Sequence, residues 1–176
     1  GARAFVIASS NPFLFSAGAD IKAFTQMDAA GGEQLLHEMH ALLREMETGS
    51  IAVIAAVNGL AFGGGCEITE AVHLAVAGER ARFAKPEINL GMIPGYGGTQ
   101  RLARIVGSGR ALELLLTGDQ LSAADAHLVG LVNRVVPAAN LMAEARKLAA
   151  TIAGKAPLAV RYVLEAVHRG VNLPLA

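Results

Sequence analysis

Ile51-Ala52-Val53-Ile54-Ala55-Ala56-Val57-Asn58-Gly59-Leu60-Ala61-Phe62-Gly63-Gly64-Gly65-Cys66-Glu67 is the stretch on which the reading of this chain turns. Residues 51–57 are short, apolar and rich in β-branched side chains, as a buried strand requires. Asn58-Gly59 closes that strand with a strong turn signal. Gly64 to Ala71 can open a short helix. Gly64 then stands at a helix N-terminus, where free N–H groups and the dipole favour negative charge. Three glycines leave the main chain bare enough for a ligand to touch it. Glu67 adds a carboxylate just beyond them, and Glu87, in Lys85-Pro86-Glu87, offers a second from a separate segment.

Outward from this stretch, strands and helices alternate. Residues 4–8 read as a buried strand, Ser9 to Gly18 as turn-rich, and residues 31–47 as a helix. That helix carries Leu35, Leu36, Met39, Leu42, Leu43 and Met46 at helical spacing. Residues 72–77 form a third apolar strand, and Arg82-Phe83-Ala84 a short one before Pro86. Helices are expected near 97–105, 108–116, 122–128, 139–153 and 157–169, with Ser122 and Asp125 as a capping box. Early alternation followed by helices predicts an α/β fold with a mostly parallel sheet and a helical tail.

Composition excludes several function classes. Hydrophobic residues make up 53% of the 176 positions and charged residues 17%, which rules out a disordered chain. Lys+Arg and Asp+Glu number 15 each, so no global field points to nucleic acid or an anionic membrane. No apolar run approaches the roughly 18 to 20 residues that span a bilayer. A lone Cys66 rules out an internal disulfide and fits a reducing compartment. The five histidines do not cluster at metal-ligand spacing, so no metal is expected. No linker or repeat divides the sequence, so it reads as one domain over 1–176. Gly1-Ala2-Arg3 runs directly into a strand and the other end stops on apolar residues, so both ends read as cut from a longer chain.

Three constellations carry chemistry, and each has a plainer reading. Phe15-Ser16-Ala17-Gly18-Ala19-Asp20-Ile21-Lys22 can aim backbone N–H groups at a developing oxyanion. Taken alone, it reads better as a tight turn with Asp20 as a helix cap. The glycines at 63–65 lack the Lys-Ser or Lys-Thr of a P-loop and the spacing of a dinucleotide fingerprint, so an oxyanion of another kind is the better ligand. Cys66 can be a nucleophile or, more simply, a small buried filler. Pro86 to Leu102 holds Glu87 in a Pro- and Gly-rich turn beside an apolar segment, which can raise the carboxyl's pKa. The plainer reading is a surface loop before a helix capped near Gly98-Thr99.

Together, in this order, the motifs closely resemble the enoyl-CoA hydratase (crotonase) family. They are Ala17-Gly18-Ala19-Asp20-Ile21-Lys22, Ala55-Ala56-Val57-Asn58-Gly59, Gly63-Gly64-Gly65-Cys66-Glu67, Pro86-Glu87 and Ile93-Pro94-Gly95-Tyr96-Gly97-Gly98-Thr99-Gln100-Arg101-Leu102. Leu116-Thr117-Gly118-Asp119 and Ala126-His127-Leu128-Val129-Gly130-Leu131-Val132 also fit. The resemblance implies a spiral of ββα repeats with C-terminal helices that support trimers. It implies an acyl-CoA thioester as substrate, with coenzyme A part of that substrate and no separate cofactor. The N–H groups of Ala19 and Gly64 would form the oxyanion hole, and Glu67 and Glu87 would hold the reacting water. Ala17, Asp20, Ile21, Phe62, Gly63, Pro86, Leu90 and Gly95 would line the substrate site. The implied reaction is hydration of a 2-trans-enoyl-CoA to a 3-hydroxyacyl-CoA, as in fatty-acid β-oxidation. Two alternatives stand beside it: a double-bond isomerase or other acyl-CoA lyase, and a chain that binds CoA or a partner without turnover. A homotrimer or homohexamer is implied, in a bacterial cytoplasm or a mitochondrial matrix.

The sequence departs from the family in places. An opening strand and an Asn-Arg-Pro…Leu-Asn-Ala segment that contributes to CoA binding are not in this stretch, and the last helices look short. His73 stands where Asp is common, as a satisfied buried histidine or a local variant. Tyr96 stands where small residues are common, and would narrow the acyl pocket. Lys22 and Arg101 are candidates for CoA phosphates, or simply solvated charges.

Overall fold

The computed structural model describes residues 1–174; Leu175 and Ala176, the end of the apolar C-terminal stretch, lie outside the described residues. Chain order gives β1 (Ala4–Ala8), β2 (Leu14–Ser16), α1 (Ile21–Phe24), α2 (Ala29–Thr48), β3 (Ala52–Val57), β4 (Leu60–Phe62) and α3 (Gly64–Ala71). Then come β5 (Leu74–Gly78), β6 (Arg82–Ala84), a 3-10 turn at Pro86–Leu90, α4 (Gly98–Val106) and α5 (Ser108–Thr117). The rest is β7 (Leu121–Ser122), α6 (Ala123–Leu128), β8 (Arg134–Val136), a 3-10 turn at Ala138–Asn140, α7 (Leu141–Ala153) and α8 (Pro157–Gly170).

The strands form two sheets of four, ordered β1-β3-β5-β8 and β2-β4-β6-β7. Every pair is parallel except β6 with β7, which is antiparallel. The first three successive pairs of strands each send their first member to one sheet and their second to the other, and the last pair, β7 and β8, does so in reverse order. The chain therefore advances as a spiral of ββα turns, with helices gathered at its C-terminal end, as the sequence predicts.

β3 anchors the spiral because all six of its residues are buried. Ile54 and Ala56 face Val76, Leu141 and Ala145, and so pack under α7. Val53, Ala55 and Val57 face the larger core with Phe83, Leu102, Leu114 and Leu121. A strand with period-two side chains can fill two cores only if both faces are apolar.

The sequence missed four short strands. β2 falls in the stretch read as turn, β4 follows the Asn58-Gly59 turn at once, and β7 and β8 were not foreseen. Two- or three-residue strands are too short to show a hydrophobic period; they form because a neighbouring strand already offers its edge. The helices meet their expected spans within a few residues. Ser122 caps α6 by accepting the Asp125 N–H at 3.1 Å, and its hydroxyl donates to Asp125 Oδ2. On α2 only Leu43 is fully buried, against Ala71 and Tyr96, while Leu36 and Leu42 stay exposed.

Candidate active site

Gly63 turns the chain from β4 into α3 at φ +52°, a conformation that disfavours any side chain. Gly65 is held so close to the Ser16 carbonyl that a Cβ would collide with it. These contacts seat the start of α3 on the β2 segment. They also bring Gly18 against Gly64: a Cβ on Gly18 would lie 2.7 Å from the Gly64 nitrogen. Ala19, which follows Gly18, is thus beside Gly64. Among the described residues, neither the Ala19 nor the Gly64 N–H has a hydrogen-bond acceptor. Gly64 is the first residue of α3, so its N–H has no partner within the helix.

Glu67 lies on the first turn of α3 and is 1% exposed. Its Oε1 accepts the Gly98 N–H at 2.7 Å and the Tyr96 N–H at 2.9 Å. Gly98 begins α4, so Glu67 supplies negative charge and an acceptor to that helix's N-terminus. Oε1 is thereby occupied, and Oε2 takes part in neither bond.

Glu87 sits in the Pro86–Leu90 turn, with Pro86 at its start. Its Oε1 is 3.3 Å from where a Gly63 Cβ would stand, so its carboxyl lies over the glycine that precedes Gly64. Ala17 O is 3.9 Å from the same point. Oε2 of Glu87 is buried with no partner among the described residues. Burial raises its pKa above 4.5; its own backbone N–H and Lys85 oppose the rise, and the Glu67 charge adds to it.

The remaining predicted residues are distributed around this centre. Asp20 caps α1, its carboxylate accepting the Lys22 N–H at 2.9 Å, as the plainer reading had it. Phe62 is half-buried at the end of β4. Gly95 lies under the Leu36 side chain, 2.9 Å from its would-be Cβ. Ile21 and Leu90 are more than half exposed, at 53% and 51%. Cys66 is the buried filler: burial pushes its thiol well up, and Sγ contacts Glu70 Oε1 at 3.4 Å. His73 is tied to β3, its Nδ1 accepting the Val53 N–H at 3.1 Å, and burial lowers its pKa. Arg101 is neither solvated nor free for a phosphate. It pairs with Glu47 at 3.0 Å and donates to the Tyr96 carbonyl at 2.8 Å, tying α2 to the site's wall.

The role of Tyr96 and Gly98 as N–H donors to Glu67 was not legible in the sequence. Nor was the buried ion pair of Lys85 and Glu70, with Nζ 2.7 Å from Oε1. One signal was available: Glu70 follows Glu67 by three residues in a short helix, so both lie on one face. Among the described residues, no group of three or more His, Cys, Asp or Glu side chains converges as a metal site would. No described helix is long and apolar enough to cross a membrane.

The sequence family described as enoyl-CoA hydratase/isomerase matches residues 1–176. The chain belongs to this family. It is 40% identical over 169 residues to a short-chain-enoyl-CoA hydratase of Clostridium acetobutylicum, covering 96% of this chain and 65% of that protein. It is 44% identical over 172 residues to a probable mitochondrial enoyl-CoA hydratase of Dictyostelium discoideum, covering 97% of this chain and 61% of that one. A solved enoyl-CoA hydratase of Geobacillus kaustophilus superposes with a TM-score of 0.95 at 34% identity, over 98% of this chain and 66% of that one. One of Bacillus anthracis gives 0.93 at 37%, over 97% and 67%. The spiral fold is therefore the family's crotonase fold. The chain spans somewhat under two thirds of these two sequence relatives.

Proposed function

We propose that this chain carries the catalytic centre of a 2-enoyl-CoA hydratase. The observation that carries the reading is the pairing of two open N–H groups, Ala19 and Gly64, with two carboxyls in unlike surroundings. The substrate thioester oxygen binds between the two N–H groups. Oε2 of Glu67 takes a proton from water as the water oxygen bonds to C3. The C2–C3 π electrons move toward the thioester, and the negative charge on its oxygen is met by the Ala19 and Gly64 donors. The Glu87 carboxyl, which burial favours in its protonated form, then gives its proton to C2. Return of a proton from Glu67 to Glu87 resets the site. The product is a 3-hydroxyacyl-CoA. These steps use protein groups and water only, with coenzyme A entering as part of the substrate.

Ala17, Asp20, Ile21, Phe62, Gly63, Pro86, Leu90 and Gly95 are proposed to line the acyl-CoA path, all within one domain. A homotrimer or homohexamer is the proposed assembly, in a bacterial cytoplasm or a mitochondrial matrix; one relative is named as mitochondrial. The test follows crotonyl-CoA by loss of its conjugated-thioester absorbance. Gly64→Ala and Gly64→Pro both add atoms beside the Tyr96 ring, 3.0 Å from the ideal Cβ, but only proline also removes the N–H. Proline should cost about 10²- to 10³-fold more than alanine. Equal rates in the two variants would remove Gly64 from the oxyanion role. Wild-type protein that shifts a double bond without adding water would move the assignment to isomerase.

A further inference from the structure

The hydratase reading leaves a buried charge pair unused. The Lys85 and Glu70 side chains are 1% and 0% exposed. Nζ stands 2.7 Å from Oε1, and one such contact cannot occupy all three ammonium N–H groups, so Lys85 keeps unspent donors among the described residues. Removing two charges from water costs several kcal/mol per ion, and apolar residues of similar volume often stabilise a core as well. Stability alone is thus a poor reason for the pair.

Its position supplies a better one. Glu70 is three residues beyond Glu67 on α3, and Lys85 is two before Glu87. Gly98 closes the arrangement from α4. A Cβ there would run into Lys85 Nζ and stand 2.9 Å from both Cγ and Oε1 of Glu67. The ammonium therefore lies where α3, α4 and the turn carrying Glu87 meet. The absence of a side chain at Gly98 is what lets the three segments close around it.

We propose that Lys85, held by Glu70, is a positioning residue for the two-carboxyl site: it fixes the spacing of Glu67 and Glu87, and its charge tunes Glu87 as proton donor. This rests on the hydratase reading. Burial pushes Lys85 down, but Glu70, Cys66 and Glu67 outweigh it and leave its pKa raised. Burial holds Glu70 at about 7 against the pull of Lys85. The charges acting on Glu87 are those of Lys85, which lowers its pKa, and Glu67, which raises it.

The double variant Glu70→Gln with Lys85→Gln keeps two polar chains that can bond each other and removes both charges. Glu87 works in its protonated form, so the rate falls as pH rises through its pKa. Losing a nearby cation favours the protonated form, so the alkaline limb of kcat/KM should move up by about one pH unit. Disturbed spacing should lower kcat by up to about 10²-fold with KM near the wild-type value. A folded double variant with an unmoved limb overturns the proposal. Glu70→Leu with Lys85→Met gives the same readout in an apolar setting should the glutamine pair fail to fold. The carboxyl 13C NMR titration of Glu87, assigned by its loss in Glu87→Gln, separates this inference from the reading beneath it. An inactive wild type overturns the hydratase reading. A Glu87 titration that is the same in wild type and double variant overturns the role of Lys85.

Discussion

Glu67 stands on the first turn of α3 with one oxygen taken by two backbone N–H groups. Glu87 stands in a 3-10 turn with one buried oxygen that no donor among the described residues reaches. Identical side chains thus meet opposite solvation. The first is bonded by donors from the turn that enters α4 and from the first residue of that helix; the second is desolvated beside a glycine that offers it no side chain. Donor-rich surroundings hold a carboxylate in one geometry, whereas desolvation favours the protonated acid. From this difference comes the proposed division of labour, with Glu67 as base and Glu87 as acid.

The strongest way to break that comparison is to make the two residues equivalent. Glu67→Gln and Glu87→Gln should each lower kcat for crotonyl-CoA hydration by about 10²- to 10⁴-fold, with circular dichroism unchanged. Full turnover in either variant would end its role in proton transfer. Alanine should then separate them by stability. Glu67→Ala strands the Tyr96 and Gly98 N–H groups and should cost about 1–3 kcal/mol more in denaturant unfolding than Glu87→Ala. Equal losses would mean that the Glu67 anchor on α4 carries no weight.

A subtler difference concerns pH. The raised Glu87 pKa places its deprotonation above the ordinary value of 4.5. As the acid must be protonated, kcat/KM should decline as pH rises through that point. The same decline should be absent from the residual activity of Glu87→Gln; its persistence there would assign the limb to another group. The smallest effect belongs to Cys66, which is buried on α3 immediately before Glu67. Cys66→Ala should cost about 1 kcal/mol of stability and leave kcat within twofold. A large loss of kcat would reopen the thiol as a participant.

The long periodic elements were legible because their own residues carry the signal. β3 is apolar at each of its positions, and α3 begins inside the glycine run, at Gly64. β2, β4, β7 and β8 were not legible, since two or three residues carry no period and pair only where an edge waits for them. Arg101 shows the same limit at a side chain. Its charge was readable, but its partner Glu47 lies 54 positions away on α2.

The sequence by itself determined the parts: an α/β spiral, a glycine run opening a helix, and two glutamates at fixed places along the chain. Motif order also set the family. Only the tertiary structure decided the partners. It set Gly18 against Gly64, gave the Tyr96 and Gly98 N–H groups to Glu67, left Glu87 Oε2 without a donor, and buried Lys85 against Glu70. Hydrophobic period and backbone conformation are local properties, written in neighbouring residues. Solvation of a carboxyl is not: it depends on which distant segments close over it, and those contacts exist only once the spiral has formed.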